Sequence, residues 1–491
     1  MALARKSAVE LADVLAGGEA SLAEIVDAFL ERSHEVDPNL HCYLHFTDEQ
    51  AREAGRASDA RRAEGAPASR FDGVPIVYKD LFCTTGVPTT AGSRILEGFT
   101  PPYDATVVAR GNAAGLPALG KLNMDEFAMG SSTENSGFGP TKNPWNTDCV
   151  PGGSSGGSTA IVAAGGAPWA WGTDTGGSVR QPASLCGLVG VKPTYGLVSR
   201  YGIVAFASSL DQAGPIARTV KDAAALLGLV AGADRMDSTS IPDDVPDYLD
   251  GIDGGIAGMR IGIVKEFESS EGTQPGVRTR IDEAYRRLEK LGATLEEVSL
   301  PSFEHGISAY YLIAPAEASS NLARYDGVRY GLRTEGAEDI ISMTSRTRDE
   351  GFGSEVKRRV MLGTYALSAG YYDAYYGKAQ KVRTLIIQDL ERAYANVDLI
   401  ACPTSPTTAF KLGERTDDPL AMYLSDIFTV PVNLAGNAAV SVPCGTSPED
   451  GLPVGLQLIA KSLDEKTMFR AAHAFEQDLG WITSPEGWPS I

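Results

Sequence analysis

Cysteine is scarce and scattered. The six residues Cys42, Cys83, Cys149, Cys186, Cys402 and Cys444 form no CxxC pair, which excludes a zinc ribbon and a disulfide framework and fits a reducing compartment. No uninterrupted apolar stretch approaches the ~20 residues that span a bilayer, and the opening segment Met1–Glu10 lacks the apolar core of a signal peptide. A cytoplasmic chain with no membrane partner is therefore expected. Positive charge is also short: 43 Lys and Arg stand against 63 Asp and Glu, a net charge of −20. Phosphate attraction needs a basic face, so the surface as a whole is unsuited to nucleic acid. A local basic patch, or a partner that carries the RNA contacts, stays open. Histidine is limited to five residues among 491.

What is present describes a globular enzyme. Apolar residues make up 43% and aromatics 8%, enough to build a core and to exclude intrinsic disorder. Glycine is in excess, with 54 residues against an average share of about 7%. The length allows about three units of ordinary size or one large α/β domain.

Residues 1–65 read as a helical segment. Ser21-Leu22-Ala23-Glu24 is a capping box that opens a helix with Leu22, Ile25, Val26 and Phe29 on one face. Gly73–Lys79 is a short β-type run that ends at a lysine. Between 104 and 232, strand-like pieces (Leu116–Leu119, Pro168–Gly172, Gly202–Ala207) alternate with helical ones (Ala105–Ala114, Ser158–Ala164, Thr219–Ala231), the pattern of an α/β sheet covered by helices. Residues 233–258, rich in Asp, Pro and Gly, form a loop or subdomain connection. Beyond them the sequence predicts a strand over Arg260–Val264 and helices near 275–292 and 354–395. Further strands are expected over Val397–Ala401, near Ala439–Val442 and near Val454–Ile459, with both halves interleaved in one sheet.

Chemistry concentrates in residues 121–216. Gly152-Gly153-Ser154-Ser155-Gly156-Gly157-Ser158 and Gly172-Thr173-Asp174-Thr175-Gly176-Gly177-Ser178 are Gly/Ser turns between a strand and a helix, where backbone N–H groups can converge on one point. Three readings compete. Gly115–Leu122 nearly matches a nucleotide phosphate loop, but Leu122 stands where a hydroxyl must ligate Mg²⁺ and Pro117 removes a donor, so a strand, a turn and a surface lysine at Lys121 fit better. Gly152–Gly156 satisfies GxSxG, but that chemistry needs a histidine after the serine. His34, His41 and His45 precede it, and His305 and His473 lack a turn setting. The third reading needs no imidazole. Serine attacks only when something removes its proton, and a lysine does so if burial lowers its pKa from about 10.4 towards 7–8. Lys79 ends an apolar run where it would be buried; Ser154 would pass the proton and Ser178 attack.

These residues carry a resemblance. The sequence resembles the amidase signature family, through the Gly-Gly-Ser-Ser-Gly-Gly-Ser stretch, the serine that follows 24 residues after Ser154, and the lysine 75 residues before it in Val77-Tyr78-Lys79-Asp80-Leu81. The resemblance implies an α/β fold with a central mixed β-sheet flanked by helices, here over residues 66–485. It implies Ser178 as nucleophile and Ser154 as bridging serine behind a cis peptide bond. Lys79 would be the general base, with an oxyanion hole from the backbone around Thr175, Gly176 and Gly177.

Further stretches resemble the branch of the family formed by the glutamine-hydrolysing A subunits of tRNA-dependent amidotransferases. They are Asn123–Asn135, Ala323–Gly331, Gly351–Arg359, Gly370–Tyr376 and Asp426–Gly436, with a departure at Asn437-Ala438, where Leu-Pro is the family pattern. The branch implies free glutamine as ammonia donor. Its α-carboxylate would be gripped by Arg359 (Arg358 in the alternative register), its α-ammonium paired by Asp426, and a hydroxyl supplied by Tyr310 (or Tyr311). No metal or cofactor is expected in this chain. ATP and Mg²⁺ are expected at a B subunit that holds most of the misacylated Glu-tRNA(Gln), with a small C subunit completing a heterotrimer. Two other classes remain as alternatives: a stand-alone hydrolase of another amide, and a catalytically silent scaffold.

Overall fold

The computed structural model of the chain describes residues 3–268, 272–481 and 487–491; the expected domain end at 485 lies outside the described residues. Among the described residues, eleven strands form one mixed sheet: β1 (Tyr43–Phe46), β2 (Ile76–Lys79), β3 (Ala118–Leu122), β4 (Trp169–Asp174), β5 (Val189–Lys192), β6 (Gln212–Ala217), β7 (Arg260–Val264), β8 (Thr294–Val298), β9 (Leu399–Pro403), β10 (Ala439–Thr446) and β11 (Pro453–Ile459). Their spatial order is β1-β3-β2-β4-β6-β5-β10-β11-β9-β7-β8. β3 and β4 both pair parallel with β2, while β4 and β6 run antiparallel. Helices cover both faces, so β2 and β4 are buried at every position and show no alternation of apolar and polar residues.

Local signals account for much of this. Ser21 and Glu24 close the expected capping box on the helix Leu22–Leu40. The helices Thr106–Ala113, Gly156–Ala163 and Val220–Val230 stand where periodicity places them, and no helix or strand lies between Val230 and Arg260. Among the described residues no helix is long and apolar enough to cross a membrane.

Four expectations change. Gly202–Ala207 is not a strand: Gly202 turns at φ +77° hard against Ala105, and the Asp211 carboxylate takes up the Phe206 and Ala207 N–H groups, so the sheet resumes only at β6. The stretch 354–395 is two helices, Ser354–Leu367 and Lys378–Tyr394, broken where Gly370 adopts φ +88°. Residues 1–65 are not only helical, because β1 extends the sheet edge beside β3 and the Val9 N–H donates to Asp222, 213 residues away. Lys121 is not a surface residue: it is buried on β3, with Nζ 2.7 Å from Thr89 Oγ1 and 3.3 Å from Asp80 Oδ1.

Candidate active site

Strand β2, between β3 and β4, ends at Lys79, which is wholly buried. Its Nζ lies 2.7 Å from Ser154 Oγ, 3.0 Å from Ser155 Oγ and 3.0 Å from Thr173 Oγ1. Burial lowers its pKa to about 7, against the opposing pull of Asp125, Asp174 and Asp211. Burial thus favours the free amine over the ammonium, relative to an exposed lysine. Ser155 and Thr173 were not singled out in the sequence, although both stand inside the two quoted turns. The Ser155 hydroxyl donates to the Thr173 carbonyl at 3.2 Å and accepts the Thr173 N–H at 3.3 Å, which leaves one lone pair for the amine.

The peptide bond between Gly153 and Ser154 is cis, as the resemblance implies. Around it, Gly153 N–H donates to Gln181 Oε1 and the Thr133 hydroxyl donates to the Gly152 carbonyl. The two Gly/Ser turns are joined directly, because Ser155 N–H donates to the Ser178 carbonyl at 3.2 Å. Ser178 sits at the open end of this cluster, and its hydroxyl makes no hydrogen bond among the described residues. No bond of Lys79, Ser154 or Ser178 among those residues goes to a histidine. His473, for instance, pairs with Asp253.

The turn Thr175–Ser178 is held from outside. Asp174 accepts the backbone N–H groups of Val179 and Arg180 and two guanidinium nitrogens of Arg180, all within 3.3 Å. Thr175 Oγ1 donates to Asp211, Thr429 Oγ1 to the Gly176 carbonyl, and Gln181 N–H to the Gly177 carbonyl. The carbonyls of Gly176, Gly177 and Ser178 thus accept hydrogen bonds, whereas the N–H groups of Thr175, Gly176, Gly177 and Ser178 make none among the described residues. Unpaired backbone donors beside a serine hydroxyl are the groups from which an oxyanion hole can be built. Gly177 is obligatory here: its φ is +140°, and a Cβ would come within 2.2 Å of Thr429 Oγ1.

Tyr310 and Asp426 flank this turn. A Cβ on Gly176 would meet the Tyr310 ring at 2.8 Å, and one on Gly177 would meet Asp426 Oδ1 at 3.1 Å. Tyr311 instead stacks on Tyr423 with ring centroids 3.8 Å apart, so Tyr310 is the tyrosine that reaches the turn. Asp426 Oδ2 accepts the Ser131 hydroxyl, a partner the sequence did not flag, while Oδ1 is buried with no partner among the described residues. Burial raises the Asp426 carboxyl to about 7.

Arg359 and Arg358 both line a cavity of about 200 Å³ together with Gly130, Ser132, Glu355 and Tyr423. Arg359 is 3% exposed and Arg358 45%. Arg359 Nε donates to Glu355 at 2.7 Å, and its two terminal nitrogens make no hydrogen bond among the described residues. The helix Ser354–Leu367 therefore turns Arg359 inward. Asn437, the departure from the family pattern, follows the left-handed Gly436 and donates to the Ala460 carbonyl, away from all of these residues.

Known proteins resemble this chain over nearly its whole length. The A subunit of the glutamyl-tRNA(Gln) amidotransferase of Thermobifida fusca is 58% identical over 483 residues, 97% of this chain and 96% of that protein. The protein of the same name from Geobacter metallireducens is 57% identical over 97% of this chain and 98% of that protein. Among solved structures, the corresponding glutamyl-tRNA(Gln) amidotransferase chain of Thermotoga maritima superposes with a TM-score of 0.82 at 44% identity, covering 99% of each chain. A 6-aminohexanoate cyclic dimer hydrolase superposes with 0.86 at 27% identity, again over 99% of each. The Amidase family profile matches residues 24–469. On that span of sequence and at those identities, the chain belongs to the amidase family.

Proposed function

We propose that this chain hydrolyses the side-chain amide of free glutamine and delivers the ammonia to a partner subunit that converts Glu-tRNA(Gln) to Gln-tRNA(Gln). The relatives' names support the reaction class. The choice of glutamine is carried by one observation: an unpartnered carboxylate oxygen of Asp426 beside the Gly176–Ser178 turn, with the free guanidinium edge of Arg359 on the cavity next to it. A free amino acid offers one ammonium and one carboxylate; the free Asp426 oxygen can meet the first and the terminal nitrogens of Arg359 the second.

Neutral Lys79 accepts a proton through Ser154 as the Ser178 hydroxyl attacks the amide carbon of glutamine. The N–H groups of Thr175–Ser178 receive the developing oxyanion; losing one such donor typically costs about 3–4 kcal/mol. The proton then returns through Ser154 to the departing nitrogen. Ammonia leaves, and a glutamyl ester remains on Ser178. Water, deprotonated by the same relay, hydrolyses the ester to glutamate and frees the serine. Lys79 begins and ends neutral, so protons balance over the cycle.

In this reading no cofactor serves the chain itself. ATP and Mg²⁺ act at the B subunit, a small C subunit completes a cytoplasmic heterotrimer, and most tRNA contacts fall outside this acidic surface. Ammonia release from glutamine by the purified chain with its partners, before and after Ser178→Ala, tests the proposal. A loss on the order of 10³-fold or more is expected. Unchanged release in the variant, or hydrolysis of other amides but not of glutamine, would refute it.

A further inference from the structure

Two arginines on one helix reach the same cavity, and what distinguishes them is a shared carboxylate. Glu355 accepts Arg359 Nε at 2.7 Å and the Tyr423 hydroxyl at 3.0 Å on Oε1, and Arg358 on Oε2. The Arg359 guanidinium carbon also lies over the rings of Tyr311, Tyr423 and Phe206, at 5.1, 5.4 and 5.7 Å from their centroids. A guanidinium can grip a carboxylate through its Nε/Nη edge or through its two terminal nitrogens. The rings fix its plane, and the bond to Glu355 fixes its rotation within that plane and occupies the Nε edge.

We infer that Glu355 is a positioning residue for substrate recognition: it turns the terminal edge of Arg359 towards the α-carboxylate of the substrate and so selects free α-amino acid amides over amides without that carboxylate. This rests on the proposed role of Arg359 as the glutamine clamp. Simple electrostatics predicts the opposite effect. Glu355 is an anion next to an anion-binding site, and neutralising it would by charge alone tighten the binding of a carboxylate.

The test is glutaminase kinetics of the assembled complex carrying Glu355→Gln, with glutamine and with glutaminamide, whose α-carboxyl is an amide. Positioning predicts a KM for glutamine raised about tenfold, the scale of one charge-assisted hydrogen bond, with kcat within about twofold. KM for glutaminamide should not change. An unchanged or lower KM for glutamine, or an equal loss on both substrates, overturns the inference. Glu355→Asp keeps the charge and should restore part of the lost affinity; if Glu355→Gln does not fold, a KM for Glu355→Asp identical to the native value overturns the inference instead. Arg359→Lys separates the two levels. If it leaves the glutamine KM unmoved, the clamp itself is wrong. If it raises that KM and Glu355→Gln does not, only the role of Glu355 falls.

Discussion

Arg180 holds Asp174 through Nε at 3.0 Å and Nη2 at 2.9 Å, both residues wholly buried, and so ties together the two ends of the turn that presents Ser178. Arg180 continues to Gln457 and Asn433, so the turn is anchored to β11 and to the helix Val430–Ala435. Asp174→Asn would leave a buried guanidinium without its counter-charge. Breaking such a pair costs about 3–5 kcal/mol. Denaturant unfolding should register that loss, and ammonia release should fall with it; a variant of native stability would contradict the role assigned to the pair.

The same pair has a pH signature. Burial pushes the Asp174 carboxyl up, but Arg180 and Asn433 outweigh it and hold the group at about 2, below the ~3.9 of an unfolded chain. The stability it contributes is complete above about pH 4 and is lost as pH falls through about 2. Stability measured between these limits should decline less steeply in Asp174→Asn than in the native chain.

Activity should titrate higher. Lys79 must be neutral to accept a proton, and Asp426 must be ionised to pair with an ammonium; burial sets both near 7. Both requirements fail as pH falls. Below about pH 6, log kcat/KM for glutamine should therefore approach a slope of two, and in Asp426→Asn a slope of one. A single slope of one in the native enzyme would remove one of the two groups from the account.

Thr173 and Ser155 accept hydrogen bonds from the Lys79 amine, and such acceptors favour the charged ammonium over the neutral amine. Thr173→Val should move the acid limb of the pH–rate profile to lower pH and reduce kcat at neutrality, because the amine is less firmly aimed at Ser154. A limb displaced to higher pH would contradict this.

Gly177→Ala combines a disfavoured φ of +140° with a methyl 2.2 Å from Thr429 Oγ1. The turn must shift, and with it the N–H groups and Ser178. kcat should fall by about 10²-fold or more, the scale of one displaced oxyanion donor, with a smaller change in KM.

The sequence reveals residues whose neighbours are local. Lys79 is legible because it ends an apolar run, and Ser154 and Ser178 because glycines bracket them. Lys121 is not, since the carboxylate that stabilises its burial, Asp80, comes from just beyond the neighbouring parallel strand and 41 positions away. Strands β5 and β6, Val189–Lys192 and Gln212–Ala217, contain glycine or proline and are buried on both faces, so no alternation marks them. Arg358 and Arg359 are adjacent in sequence; only the packing of their helix decides which points inward. Ser155, Thr173 and Ser131 lie within recognised stretches, but their partners are set by how the turns meet.

Amide cleavage by the serine relay requires a lysine amine that is uncharged when the enzyme works. Nitrogen-15 NMR of protein labelled at lysine, with the Lys79 signal assigned by its loss in Lys79→Met, reads that state directly. The signal should titrate near pH 7. Titration close to the ordinary lysine value of about 10.4 would mean a permanent ammonium at neutral pH, unable to take a proton from Ser154, and would contradict the mechanism.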